Sequence, residues 1–309
     1  MVLLAVAALS VIWGLAWVAM KVALQDMGPF TFAALRFTAA SAALAALVAP
    51  AWIRRRPQSD RPLYLRAVVR QVWPALVILG LMQTTAVYGL VNAAMLNLAA
   101  GKTSVLLYTM SLWSALLARW ALGEPLLPVK KWALFFGMTG IGLIVGRDLL
   151  APGSADAVRS VLIADGEVLL AAWCWAGANI LYRKRLTPFP RNWVNAVQTW
   201  VGTAFLWPLV WGVEGGPRAR WSVAAVGAVV FTGVFASALA FSLWYWLLER
   251  LDMATATLSV LSVPVLGLFF GALFLGERLP APFLIGSAFI LIGVGLAYAS
   301  PAVSRPGSS

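Results

Sequence analysis

Trp13 and Trp17 stand four residues apart, as do Tyr88 and Asn92, and Trp175 and Asn179. In a helix that spacing puts both members on one face, one turn apart. Nearby segments carry Tyr108 and Ser111, then Phe241, Trp244 and Tyr245, then Ser262. These side chains are suited to binding and not to bond making. In lipid an indole N–H without a partner is costly, so a tryptophan deep in an apolar helix finds a partner or lines a wet cavity. Walls built from Trp13, Trp17, Tyr88, Asn92, Tyr108, Ser111, Trp175, Asn179, Phe241, Trp244, Tyr245 and Ser262 suit an uncharged or zwitterionic solute with an apolar side chain. Taken singly, each hydroxyl serves helix packing at least as well. The expectation of a cavity rests on the aromatic and amide set taken together.

The charges sharpen that reading. No Asp or Glu falls at mid-depth of an apolar segment; Asp165, Glu167 and Glu249 sit near segment ends. A proton-coupled carrier usually places a titratable group in its pathway. Its absence points to facilitated movement down a gradient. Lys21, Arg36, Lys102 and Glu167 are expected at the outer ends of their segments. Arg36, two turns into its segment, is expected to pair with Asp26 or Glu167 or to snorkel to water. The alternative is an outer vestibule that attracts carboxylates.

Composition removes other chemistries. The 309 residues include no histidine and a single cysteine, Cys174. Disulfide frameworks, His/Cys zinc sites and histidine-based triads are therefore excluded, and no cofactor or metal is expected. The net charge of +12 sits on no soluble domain, so no nucleic-acid partner is expected. Hydrophobic residues make up 62% of the chain and charged ones 11%, against about 25% charged in a soluble domain. The partners implied are a small-molecule substrate and the lipid bilayer.

The elements that position these residues are apolar runs of about 20 residues, the length that crosses a bilayer. Ten can be marked: Val2–Leu24, Phe30–Trp52, Val72–Ala94, Lys102–Trp120, Val129–Gly146, Val161–Tyr182, Trp193–Val213, Val223–Leu248, Ala254–Leu275 and Ala281–Ser300. Trp52, Trp73, Trp120, Trp132, Trp193 and Trp221 fall at interfacial depth and fit an aromatic belt. Pro264 near the middle of the ninth run is expected to free a carbonyl around Val260. Most Lys and Arg collect on one side if both termini are cytoplasmic. The arginine-rich, alanine-rich coding suggests a GC-rich bacterium, so the expected place is a bacterial inner membrane, with the protein a monomer.

The chain also repeats itself. "LGE" at Leu122–Glu124 returns at Leu275–Glu277, 153 positions on. The same shift lays Tyr88 on Phe241, Asn92 on Tyr245 and "GIGL" from Gly140 on "GVGL" from Gly293. A shift of 162 lays Trp13 on Trp175, Trp17 on Asn179 and Lys21 on Arg183. Five segments per copy force the second copy to enter from the opposite side. The expected fold is all-α and integral to the membrane: ten transmembrane helices as two inverted five-helix repeats, 1–147 and 159–300, around a central cavity, with a short tail over 301–309. Each "LGE" is expected to make a corner, Gly ending one helix and Glu opening the next.

"VIWGLAWVAMK" (Val11–Lys21), "GPFTFAALRF" (Gly28–Phe37) and the two "LGE" phrases resemble the drug/metabolite transporter superfamily, in its ten-helix branch with two EamA domains. Within it the chain looks most like YddG-type exporters of aromatic amino acids. One departure stands out: Gln198 occupies the place of Arg36 in the second copy. The resemblance implies a cavity among helices 1, 3, 4, 6, 8 and 9, with helices 5 and 10 peripheral. It implies a secondary transporter exporting small amphipathic metabolites, amino acids among them, and no enzyme. A multidrug or nucleotide-sugar carrier of the same fold is the alternative, disfavoured by the lack of buried acids and of a cavity rich in Lys and Arg. An intramembrane enzyme or scaffold is a third reading.

Overall fold

The computed structural model describes residues 2–54, 61–122, 128–149, 154–250, 260 and 262–299. Glu124, Thr257, Ser259, the 301–309 tail and the side chains of Trp52 and Glu249 lie outside the described residues. All regular structure described is helical: α1 Val2–Ala23, α2 Pro29–Arg54, α3 Arg61–Gly80, α4 Val87–Ala94, α5 Ala100–Tyr108, α6 Met110–Leu122, α7 Pro128–Leu149, α8 Ala155–Leu181, α9 Arg191–Glu214, α10 Val223–Val230, α11 Ala240–Arg250, α12 Ser262–Leu275 and α13 Ala281–Ala299. Prolines open α2 and α7, where the first N–H has no helical partner. Ser154 and Ser222 cap α8 and α10, accepting the main-chain N–H of Ala157 (3.2 Å) and Ala225 (3.1 Å).

Three stretches are π-helical: Leu81–Ala86 between α3 and α4, Tyr182–Leu186 after α8, and Phe231–Leu239 between α10 and α11. Such wide turns leave carbonyls without their usual i+4 partner and are frequent at functional sites. Among the described residues, five helical stretches are long and apolar enough to cross a membrane: Val2–Ala23, Pro29–Ala49, Gln71–Ala94, Ala155–Leu186 and Val223–Leu247. Lys131–Gly146, Ser262–Leu275 and Ala281–Gly293 are shorter apolar helices. Trp73, Trp120, Trp132 and Trp221 are exposed, as belt residues must be.

Helices meet in pairs through small residues, the usual solution where lipid supplies no hydrophobic drive. The tightest pair is α7 with α13. A Cβ on Gly140 would stand 2.5 Å from the Gly286 carbonyl, and one on Gly293 would stand 2.6 Å from the Ala133 carbonyl. α2 packs on α9, where the Trp200 indole donates to the Ser41 carbonyl (3.1 Å) and the Trp207 indole to the Thr38 hydroxyl (3.2 Å). α1 lies against α12 and the α10–α11 stretch, while α8 lies against α4, α5 and α6.

The loops before α2 and after α9 bind each other. An isolated antiparallel bridge joins Met27 to Ala219, with Gly28 N–H donating to the Arg218 carbonyl and Arg220 N–H to the Asp26 carbonyl, both at 2.8 Å. Buried Glu214 at the end of α9 accepts the N–H groups of Phe30 (2.6 Å) and Thr31 (3.1 Å) and the Thr31 hydroxyl. It thereby caps α2 across the molecule.

Two expectations are corrected. Pro264 falls in the first turn of α12, where a missing N–H leaves nothing unpaired, and the Val260 carbonyl accepts the Val263 N–H at 3.0 Å. Glu277 does not open its own helix. Its carboxylate crosses to α5 and accepts the N–H groups of Ala100 (2.5 Å) and Gly101 (2.9 Å).

Candidate substrate-binding site

A narrow cavity lies between α1, α2, α4, α5 and α8, lined by Trp13, Ala16, Trp17, Met20, Arg36, Tyr88, Leu107, Tyr108 and Trp175. About 20 Å³ is open to the centre of a water molecule, room for roughly one or two waters. The rings close it. Trp13 meets Trp175 edge-on, with centroids 6.2 Å apart, and lies 6.0 Å from Phe241 and 5.9 Å from Trp244. Tyr88 is 6.1 Å from Trp175, 6.3 Å from Phe241 and 4.8 Å from Phe37. The Trp13 indole N–H donates to the Ala236 carbonyl at 3.0 Å, inside the π-helical Phe231–Leu239 stretch. The wide turn thus supplies the acceptor that a tryptophan buried in lipid requires. Trp175 and Trp244 are buried, and their indole N–H groups have no hydrogen-bond partner among the described residues.

Of the residues expected at a binding site, Trp13, Trp17, Tyr88, Tyr108 and Trp175 line this cavity, and Phe241 and Trp244 back it. Tyr245, one turn beyond Phe241, is elsewhere engaged: it stacks on Tyr182 at 4.5 Å and donates to the Gln83 side chain at 3.0 Å. Asn92 is buried and donates to the Pro29 carbonyl at 3.3 Å; Asn179 and Ser111 are buried outside the lining. Ser262 is not in this lining. It donates to the Ser10 hydroxyl at 2.7 Å and joins α12 to α1.

The four outer charges separate into different roles. Arg36 is no vestibule residue: it is 1% exposed and stands in the cavity wall. Its Nε donates to the Ser237 hydroxyl at 2.9 Å, Nη1 approaches the Met20 sulfur at 3.0 Å, and the guanidinium lies 4.2 Å from the Tyr88 ring centre. Among the described residues it makes no ion pair; Asp26 instead accepts from the Ser222 hydroxyl, so the expected pairing with Asp26 or Glu167 does not occur. Lys21 is half-buried and donates to the carbonyls of Met95 and, at 2.8 Å, Leu98. Lys102 pairs with Asp165 at 2.6 Å. Glu167 is partly buried.

Lys21 and Glu277 together hold one corner. The ammonium sits on the carbonyl end of α4 and the carboxylate on the amide end of α5, each the sign its helix terminus favours. What spacing missed was the face of α2. Arg36 shares it with Phe32, Ala33, Phe37 and Ala40, all buried, and that small and aromatic stripe in the sequence was the available signal.

The sequence profile of the EamA-like transporter family matches residues 1–146 and 162–299. The chain belongs to the EamA-like transporter family. The uncharacterized transporter YoaV of Bacillus subtilis is 28% identical over 95% of both chains. A probable terminal-alkyne amino-acid exporter of Streptantibioticus cattleyicolor is 29% identical, over 93% of this chain and 89% of its own. A probable amino-acid metabolite efflux pump of Salmonella typhimurium is 27% identical, over 92% and 90%. A crystal structure of a protein 20% identical in sequence shares the fold, with a TM-score of 0.66 over 96% of each chain. The aromatic cavity is accordingly the cavity of a membrane transporter whose cargo is a small molecule.

Proposed function

We propose that this transporter exports small amphipathic metabolites, amino acids with aromatic side chains among them, by alternating access and without ion coupling. The observation that carries the reading is the aromatic cavity closed around Trp13, Tyr88 and Trp175, with no acidic side chain in its lining. Its size supports an occluded conformation, because a cargo as large as phenylalanine enters only if the rings part. Two of the relatives are described as a probable amino-acid exporter and a probable amino-acid metabolite efflux pump.

The helix pairing supports ten spans in two inverted halves, 1–147 and 159–300. Repeat partners meet each other: Trp13 with Trp175, Tyr88 with Phe241, α2 with α9 and α7 with α13. The close approach of Gly140 to the Gly286 carbonyl is repeated by that of Gly293 to the Ala133 carbonyl, the same contact after a shift of 153. Such a two-fold places a cargo site near the midplane, between halves that rock. The protein then sits in a bacterial inner membrane as a monomer, with both termini cytoplasmic. Purified protein in vesicles tests the transport reading. Labelled phenylalanine or threonine is expected to cross faster than in empty vesicles and to saturate; a panel of amino acids with no flux above empty vesicles refutes it.

A further inference from the structure

We propose that Arg36, together with the indole N–H of Trp175, is the receptor for a carboxylate, and that the recognised cargo is a monoanionic carboxylate carrying an aromatic or apolar body. This rests on the cavity being the transport site, and it names what the cavity selects. A guanidinium 1% exposed is expensive to bury, and it normally keeps a carboxylate beside it. Arg36 has none among the described residues. Of its five N–H donors, one goes to the Ser237 hydroxyl and one to the weak acceptor sulfur of Met20, with the Tyr88 hydroxyl as a further side-chain partner, which leaves donors for a ligand. Trp175 lines the same cavity and offers a second buried donor with no partner among the described residues. Two such donors, one of them charged, beside aromatic faces fit a carboxylate joined to a ring.

The number of charges is also fixed. The second half carries Gln198 where the first has Arg36, and its amide is engaged: it donates to Asn195 (3.2 Å) and Thr199 (2.9 Å) and accepts from Thr84 (2.9 Å). Among the described residues the lining holds one cation, Arg36, and no anion. A monocarboxylate leaves the closed site neutral. A dicarboxylate or phosphate ester leaves it with unpaired negative charge. An ammonium group meets no acid in the lining, so it adds nothing to recognition. A monoanion also needs no titratable group to drive it outward: an interior-negative potential of about 100 mV sustains roughly 50-fold outward accumulation of a singly charged anion.

The test is binding to the purified full chain in detergent, read by ligand-induced thermal shift and by tryptophan fluorescence. The probes are 3-phenylpropanoate, phenylalanine, phenylalanine amide and 2-phenylethylamine. The expected order is 3-phenylpropanoate at least as tight as phenylalanine, with no binding by the amide or the amine. Arg36→Gln and Trp175→Phe should each weaken 3-phenylpropanoate, by about 10- to 100-fold for the charged donor and several-fold for the indole. Trp175→Phe keeps the ring packing, so it holds the test open if Arg36→Gln fails to fold. Equal binding of the amine, undiminished affinity in both variants, or no binding of 3-phenylpropanoate at millimolar concentration overturns the proposal. Because binding is read without transport, a protein that binds the carboxylate but carries nothing refutes the export reading alone.

Discussion

Glu277 is where a single carboxylate has the most defined task. Its two oxygens accept the first free N–H groups of α5, Ala100 at 2.5 Å and Gly101 at 2.9 Å, and they reach those groups through a gap left by Gly271. Hydrogen bonds to a charged acceptor contribute about 1.5–3 kcal/mol each when buried. Glu277 is only half-buried, and water can replace part of what is lost. Glu277→Ala should therefore destabilise by about 2 kcal/mol, the upper range of a lost helix cap. For a chain of this size that lowers the melting temperature by roughly 3 °C. Glu277→Gln should fall between the parent and alanine, since its amide presents an N–H to one of the two donors.

Gly271→Ala supplies the decisive comparison. The added Cβ would stand 2.5 Å from the carboxylate oxygen, so it expels Glu277 from its seat. Each single change acts through the same two bonds. The double variant Gly271→Ala/Glu277→Ala should thus be no less stable than Glu277→Ala alone. Thermal unfolding in detergent reads all four proteins. Melting of Glu277→Ala within about a degree of the parent, or full additivity of the two changes, refutes the capping role.

Tyr88→Ala removes the ring beneath the Arg36 guanidinium and should cut transport at least tenfold, roughly, while the protein still elutes as a folded species. Trp13→Phe keeps the ring but loses the bond to the Ala236 carbonyl, so melting should fall by an amount equivalent to about 1 kcal/mol. Gly293→Val inserts bulk 2.6 Å from the Ala133 carbonyl and should part α7 from α13, read as lost expression or a melting drop larger than that of Glu277→Ala. An imposed pH gradient should leave the steady internal level of cargo nearly unchanged, because no Asp or Glu among the described residues lines the cavity. A strongly concentrative response would show that a titratable group lies on the path.

Hydropathy made the helices legible. The run expected over Val2–Leu24 is α1 at Val2–Ala23, and that over Ala281–Ser300 is α13 at Ala281–Ala299. The third run was too short: α3 begins at Arg61, in a stretch whose arginines mask its helical character from an apolar count. Four-residue spacing located half of the cavity, since Trp13, Trp17, Tyr88 and Trp175 lie together. Tyr245 shares α11 with Phe241 yet stacks on Tyr182, and Ser262 bonds Ser10, so spacing along one helix did not reveal which neighbour each face meets. Arg36 was misjudged on charge: an arginine in an apolar segment was sent to water or to an acid. Its actual partners, a serine hydroxyl in a wide turn, a thioether and a ring face, leave no charge pattern in the sequence.

The contact of Gly140 with Gly286 and its mirror between Gly293 and Ala133 have the form of an isologous interface, in which one patch meets a copy of itself. That is how two separate molecules of a homodimer touch, and the pairing of α2 with α9 follows the same rule. On the proposed two-half arrangement, each half carries both partners of these contacts, and the link between α7 and α8 raises their effective concentration. In that arrangement, a five-helix chain sitting in the bilayer in both orientations would present both of these contacts. Under the proposed duplication, joining the copies in one chain lets them differ, one carrying Arg36 where the other carries Gln198, which a symmetric pair of identical chains could never do.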